Sequence, residues 1–207
     1  MNLYDKFILP HLLNCSCNTK PFIHQRKKVI PLATGNVLEV GIGSGLNIPY
    51  YQKDNIKEIW GLDPSEELLE MARKKAKAED MDVQFLNAKA DTIELDDNYF
   101  DTVLMTYTMC TIPNLNQAFS EIKRVMKADG RLIFCEHGAS PEQHVLKWQN
   151  RVNNIWSKIA GGCNINKNIP SIIESSDLNI SQMETMYLPK TPKIFGYNYW
   201  GFAVLDD

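Results

Sequence analysis

The stretch Glu39-Val40-Gly41-Ile42-Gly43-Ser44-Gly45-Leu46-Asn47 decides the fold. It overlaps the end of a short β-prone run, Val37-Leu38-Glu39-Val40, and its position predicts that it opens a helix. Glycines in such a loop permit a tight turn and let backbone approach a ligand closely. Dinucleotide-binding loops occupy the same place with the spacing G-x-G-x-x-G, which requires Gly or Ala at position 46. Here position 46 is Leu46, and the third glycine, Gly45, comes one residue early. The pattern is E-x-G-x-G-x-G, with an acid two residues before the first glycine. A pyrophosphate gains nothing from that negative neighbour. A ligand with an amino acid at one end and a nucleoside at the other fits it better. Glu39 can accept from a ligand ammonium, directly or through water, while Gly43 lets the backbone pass close.

Moving outward, Ile59-Trp60-Gly61-Leu62-Asp63 reads as a second strand and Val83-Gln84-Phe85-Leu86 as a third. Thr102 to Thr106 and Arg131 to Cys135 read as a fourth and fifth. Their apolar residues are consecutive, as in strands covered on both faces. Asp63 closes the second strand, where a carboxylate can take both ribose hydroxyls as donors; it also suits a turn before a helix capped by Ser65. Glu66 and Glu67 favour the positive end of that helix, and Leu68, Leu69, Ala72 and Ala76 share one face. Leu115, Ala118, Phe119, Ile122, Val125 and Met126 make a second stripe, with Asp129-Gly130 predicted to stop it. Ser140-Pro141-Glu142-Gln143 predicts a third helix start, and Val145, Trp148, Val152, Ile155, Trp156 and Ile159 predict its core-facing stripe. A short helix is expected after Asn168, then a strand pair over Ile180 to Leu188 and Tyr197 to Leu205. The alternation implies α/β architecture: a doubly wound, seven-stranded, mostly parallel sheet of Rossmann-like type.

The 207 residues suit one domain, long enough to bury roughly 70% of the unfolded surface. We divide it into an N-terminal helical cap (1–34), a cofactor-binding core (35–137), and C-terminal helices with the last strand pair (138–207). Pro10, Pro21 and Pro31 punctuate the first segment, and the polar run His24 to Lys28 predicts a solvated face. A net charge of −3 gives no electrostatic reason for nucleic-acid binding. No run reaches the roughly eighteen apolar residues that span a bilayer, and no secretory signal opens the chain. Five cysteines without an export signal point to reduced thiols and a cytoplasmic protein. Cys110 and Cys163 read as small buried apolar residues. Cys15-x-Cys17 has no second pair or His cluster at ligand spacing, so no metal is expected.

With these motifs in place, the chain resembles the class I S-adenosylmethionine-dependent methyltransferases. The E-x-G-x-G-x-G loop, Asp63, Phe100-Asp101-Thr102-Val103-Leu104 and the strand before Glu136-His137 agree in order and spacing. A narrower resemblance rests on Cys110-Thr111-Ile112-Pro113, Glu136-His137-Gly138, Trp148-Gln149 and Gly161-Gly162-Cys163-Asn164. It is to small bacterial phospholipid-methyltransferase-like proteins and microsomal alkyl-thiol methyltransferases. The resemblance implies S-adenosylmethionine as cofactor and S-adenosylhomocysteine as product. It implies cofactor contacts from Tyr4, Glu39, Gly41, Gly43, Gly45, Asn47, Asp63, Pro64, Lys89, Ala90 and Thr106. An aspartate usual after the third strand is replaced here in Ala88-Lys89-Ala90-Asp91, so backbone around Lys89-Ala90 is expected to meet the adenine. Asn164 and Lys167 stand where close relatives often carry His and Arg.

His137, with Glu136, is the candidate for orienting or deprotonating the acceptor; the two residues could equally support the loop. The acceptor is expected to be small or lipid-like, a thiol or a phospholipid amine. Residues 1–30, the helix from Pro141 and Leu188 to Lys193 are expected to select it. Phe7, Ile8, Leu12 and Leu13 are candidates for an apolar pocket, peripheral membrane contact or packing on the sheet. Two other readings stay open at this point: a non-catalytic module that only binds the cofactor, and a nicotinamide-dependent oxidoreductase.

Overall fold

A computed structural model describes residues 8–206. Seven strands form one sheet: β1 (Gly35–Val40), β2 (Ile56–Leu62), β3 (Gln84–Leu86), β4 (Phe100–Thr106), β5 (Met126–His137), β6 (Leu178–Tyr187) and β7 (Tyr197–Leu205). Their order is β3-β2-β1-β4-β5-β7-β6. The first five run parallel, and β7 lies antiparallel between β5 and β6. The seven-stranded, mostly parallel sheet expected from the alternation is therefore present. The order reverses between β1 and β4, and the crevice at such a switch point is where open α/β sheets bind ligands.

Both faces of the sheet are covered. Val37, Leu104, Ile133 and Cys135 pack on one side with Leu69, Ala72 and Ala76 of α3 (Glu66–Ala78). Leu38, Val103, Met105, Leu132 and Phe134 pack on the other. There they meet Phe119 and Ile122 of α4 (Leu115–Val125) and Ile169 and Ile173 of α6 (Ile169–Glu174). Adjacent strand residues point to opposite layers, so a strand buried on both faces must be apolar at every position. Ser65 caps α3 by accepting from Leu68 N, and Asn168 caps α6 by accepting from Ser171 N.

The local expectations fail at three places. The glycine loop opens no α-helix; only 3-10 turns at Ile48–Tyr50 and Lys53–Asn55 join β1 to β2. Helix α4 ends at Val125, before Asp129-Gly130. Four residues, Lys127 to Gly130, bulge opposite the single Asp101, pinned by Lys127 Nζ on Asp101 Oδ1 at 2.6 Å. The N-terminal helical cap is present among the described residues as two helices, α1 (Leu9–Cys17) and α2 (Lys20–Val29). Pro10 and Pro21 sit in their first turns, where a missing N–H costs nothing. Finally, α5 spans Gln143–Ile159 and starts from Glu142, not Ser140. Ser140 Oγ instead accepts from Glu142 N in a local turn.

The buried face of α5 also differs from the expected stripe. Val145, Gln149 and Asn153 point inward, while Trp148, Ile155 and Ile159 are more than half exposed. The reason is what α5 covers. Gln149 Oε1 accepts from Ser140 N, and Nε2 reaches the carbonyls of Gly138, Ile165 and Ile194. Backbone groups under a helix must find partners, and an apolar face offers none. Gln149→Leu is therefore expected to cost about 3 kcal/mol, since four hydrogen bonds of roughly 0.5–1.5 kcal/mol net each are lost. Thermal unfolding should fall by roughly 6–12 °C. A shift below about 2 °C would show that these groups re-pair elsewhere. The helix α7 (Lys193–Gly196) completes the fold, and no helix among the described residues is long and apolar enough to cross a membrane.

Candidate functional site

The ends of β1, β2 and β4 bring Glu39, the glycine loop, Asp63 and Thr106 together. Gly41, Gly43 and Gly45 have φ of +76°, +54° and +74°, which side chains rarely adopt. The amides of Gly41 and Ile42 both donate to Leu62 O, which ties the loop to β2. Asp63 Oδ2 accepts from Gly43 N at 3.0 Å, and Oδ1 accepts from Ser65 N at 2.9 Å. A Cβ placed on Gly43 would meet nothing nearer than Gly41 O at 4.0 Å, so the loop has open space above it. Burial pushes the Asp63 carboxyl above its usual pKa, opposed by those two amides.

Glu39 is 1% exposed. Its Oε1 accepts from Asn47 Nδ2 at 2.7 Å and its Oε2 from Tyr51 Oη at 2.6 Å. Asn47 Nδ2 also reaches Thr106 Oγ1, and Asn47 Oδ1 accepts from Arg26 Nε at 2.9 Å. Burial raises the Glu39 pKa to about 7, against the pull of Tyr51, Asn47 and the Arg26 charge. This carboxylate is short of positive charge, so a ligand ammonium fits it. The open loop, the Asp63 oxygens and Glu39 together suit a molecule with an amino-acid end and a nucleoside end.

Arg26 and Tyr51 were not singled out in the sequence. The run His24 to Lys28 is not simply a solvated face, because Gln25 and Arg26 are buried. Arg26 Nη1 donates to Cys17 O, and its guanidinium lies 5.2 Å from the centre of the Tyr107 ring. Phe22 packs edge-on against the same ring. Phe22, Arg26 and Val29 fall at helical spacing on one face, a signal that was present in the sequence. No comparable pattern marks Tyr51.

The remaining expected contacts lie differently. Lys89 is exposed and Ala90 buried in the turn after β3. Neither shares a hydrogen bond with Asp63 or the glycine loop among the described residues. Pro64 is exposed beside Asp63. Tyr4, like Phe7, lies outside the described residues. Ile8 and Leu12 are about half exposed.

The second half of the site forms at the ends of β4 and β5. Tyr107 has φ +56°, unusual for a bulky residue and costing on the order of 1–3 kcal/mol. Its hydroxyl donates to Asn198 Oδ1 at 2.9 Å. Glu136 is wholly buried, and Oε1 accepts from Thr108 N and Met109 N, while Oε2 has no partner. Burial lifts its pKa to about 7, opposed by those amides. His137 Nε2 lies 3.3 Å from Cys163 Sγ. Burial works against the charged imidazole, but Cys163 outweighs it and the His137 pKa rises. The hydrogen bond from Cys110 draws the Cys163 thiol down, burial opposes, and His137 adds to the pull. Lys167 Nζ donates to the carbonyls of Met109 and Ile112 beside them. All five cysteines are free. Met126 is core; Trp156 packs against Phe195, whereas Trp148 is exposed under Arg151.

Comparison with known proteins agrees with this geometry. The model of the methyltransferase domain family matches residues 38–134, from β1 to β5. Thiol S-methyltransferase TMT1B of Rattus norvegicus is 28% identical over 170 residues, covering 77% of this chain and 68% of that protein. Phosphatidylethanolamine N-methyltransferase of Cereibacter sphaeroides is 34% identical over 107 residues, 51% of this chain and 52% of that one. A solved S-adenosylmethionine-dependent methyltransferase from Aquifex aeolicus superposes with a TM-score of 0.65 at 17% identity, covering 94% and 97% of the two chains. With the acid-bounded glycine loop, the matches to the methyltransferase domain and to the thiol methyltransferase make the chain an S-adenosylmethionine-dependent methyltransferase, an enzyme whose methyl donor is S-adenosylmethionine.

Proposed function

We propose that the acceptor is a thiol. The observation that carries this is the charge at the acceptor end. His137 and Lys167 stand there, while the Glu136 carboxylate beside them is wholly buried with its Oε1 held by two backbone amides. An ammonium acceptor needs an accessible carboxylate to hold it and to accept its proton. A thiol needs the opposite, cationic groups that favour its thiolate, and little further activation. The match to the thiol methyltransferase also runs over a larger share of both chains than the match to the lipid methyltransferase.

S-adenosylmethionine supplies a methyl already activated on a sulfonium. The chain's task is then alignment of nucleophile, methyl and sulfur, with water kept away. In this reading Glu39 receives the cofactor's ammonium, Gly41, Gly43 and Gly45 let its backbone pass, and Asp63 receives the ribose. Asn47 and Thr106 orient Glu39, backbone near Lys89 and Ala90 meets the adenine, and Pro64 flanks the bound molecule. His137 faces the acceptor sulfur, and Glu136 holds the Thr108-Met109 turn beneath it.

Incubation with methyl-labelled S-adenosylmethionine is the test. Label is expected in small alkyl thiols and not in phosphatidylethanolamine. Label in the lipid amine alone overturns the thiol reading; label in no acceptor points to a non-catalytic binding module. His137→Ala is expected to lower kcat roughly a hundredfold while leaving S-adenosylhomocysteine affinity unchanged. Unchanged turnover would remove His137 from the reaction.

The Glu39 reading has its own signature. Its folded pKa of about 7 lies above the unfolded value of about 4.3, so the neutral form is favoured on folding. That contribution is complete below about pH 4.3 and is lost as pH rises through 7. Glu136 behaves alike, so the ligand-free protein is expected to melt lower at pH 8 than at pH 5.5. A cofactor ammonium restores the Glu39 carboxylate by adding to the pull of Tyr51, Asn47 and Arg26 against burial and the Asp63 charge. Binding of S-adenosylhomocysteine at pH 6.5 should then release up to roughly three-quarters of a proton, read as buffer-dependent enthalpy in calorimetry. Glu39→Gln should release none. Equal release from both would place the ammonium elsewhere.

A further inference from the structure

Three side chains from three distant segments meet beside the proposed acceptor position. Cys110 follows β4, His137 ends β5, and Cys163 follows α5. Their ligating atoms all lie within 4.8 Å of one another, with His137 Nε2 to Cys163 Sγ at 3.3 Å. We propose that Cys110, His137 and Cys163 bind a thiophilic divalent cation, zinc(II) by donor type, through two sulfurs and one imidazole nitrogen.

The dimensions fit. Tetrahedral zinc with bonds of about 2.3 Å to sulfur and 2.0 Å to nitrogen spaces its ligand atoms about 3.5–3.8 Å apart. Small side-chain adjustments reach that spacing from the observed one. The donors are soft, which selects zinc over magnesium or calcium. The charge balances as well. Zinc entering with +2 displaces two protons to water, that of Cys110 and the one shared by Cys163 and His137, as two Zn–S bonds and one Zn–N bond form, so the net charge of this buried site does not change. All three residues are less than one-tenth exposed, where an uncompensated dication would be costly.

The backbone holds the two sulfurs in place. Asn164 donates to Cys110 O from both its main-chain N and its Nδ2, at 3.1 and 3.2 Å. This ties the residue after Cys163 to Cys110 itself. Asn164 Oδ1 accepts from Asn153 Nδ2, and Asn153 Oδ1 accepts from Ile165 N, which anchors the loop to α5. Outer partners of this kind orient metal ligands. They also explain why α5 turns the polar Asn153 inward.

Three protein ligands leave a fourth position, the arrangement of metal sites that meet substrate. The cluster is at the same end of the sheet as Glu39 and Asp63. Resting on the thiol reading, the fourth position takes the acceptor thiolate, with its proton released to solvent. The metal then takes over from His137 the task of holding the sulfur in line with the methyl.

The full chain, reduced and freed of metal by chelator, is titrated with cobalt(II) and separately with zinc. One cobalt per chain is expected, with a thiolate-to-cobalt charge-transfer band and the visible bands of a tetrahedral site. Zinc should displace it and raise the melting temperature; magnesium should do neither. Cys110→Ser and Cys163→Ser should lose the thiolate band, while Cys15→Ser, an exposed residue outside the cluster, should keep it. Retained S-adenosylhomocysteine binding shows that each variant is folded. If the serine variants do not fold, the parent decides. No thiolate band and no zinc-dependent melting shift in the parent overturns the proposal. Adding an alkyl thiol to the cobalt protein should change the spectrum. No change with cobalt bound overturns the open-position role alone, and methyl transfer to an amine overturns the thiol reading while leaving the metal site intact.

Discussion

Asp63→Ala is expected to weaken S-adenosylhomocysteine binding by a hundredfold or more. The proposed ribose contact is two hydroxyls donating to one carboxylate, and such charge-assisted bonds contribute roughly 1.5–3 kcal/mol each. Losing both corresponds to about 10²–10⁴ in affinity. The same substitution frees Gly43 N and Ser65 N, which Asp63 now holds at 3.0 and 2.9 Å, so the loop loses its tie to the end of β2. Asp63→Asn keeps one carbonyl acceptor and should fall between the two. Calorimetry on all three proteins reads the series. Affinity within about threefold of the parent in Asp63→Ala would mean that the nucleoside lies elsewhere.

Gly41→Ala is expected to destabilise the protein strongly. Its φ of +76° lies in the left-handed region, which costs a side chain roughly 1–2 kcal/mol. A Cβ there would also overlap the Thr108 side chain on the neighbouring strand end. Overpacking of this kind adds roughly 1–3 kcal/mol. The sum of about 4 kcal/mol corresponds to a melting decrease of roughly 8–16 °C in a chain this long. Thr108→Ala in the same protein removes the atoms that clash most and should recover part of the loss. No recovery would assign the whole effect to backbone strain. Gly43 shares the positive φ but has open space around it, so Gly43→Ala should harm binding more than folding.

The contrast between these glycines shows what could be read before any coordinates. The loop's spacing separated an amino-acid-plus-nucleoside ligand from a dinucleotide, because Leu46 stands where a dinucleotide loop needs a small residue. It did not show which glycine faces solvent and which faces Thr108, a residue 67 positions away. The expected helix after the loop is missing for a related reason. Ile48 packs with Leu69 and Ala72 from a 3-10 turn, a contact between segments that the local spacing does not show.

The acceptor side was less legible than the donor side. Glu136 and His137 could be singled out because they end a strand at the ligand-binding edge. Cys110 and Cys163 could only be read as small apolar residues, since neither has a partner at close spacing. Arg26 was obscured by its neighbours: Lys27 and Lys28 are exposed, and a run of charges gives no sign that one member turns inward.

The sequence by itself determined the sheet, its mostly parallel order and the donor loop. Each of these is written in residues close along the chain. A strand covered on both faces must be apolar throughout, and a strand, its glycine turn and the acid that braces it span fewer than thirty positions. Tertiary structure alone decided the inward face of α5, the burial of Arg26 and the meeting of Cys110, His137 and Cys163. Burial of apolar surface is non-directional, so a sequence can rank the faces of a helix only by their apolarity. Backbone carbonyls that need donors reverse that ranking, as they do at Gln149 and Asn153, and they become visible only when distant segments are packed together.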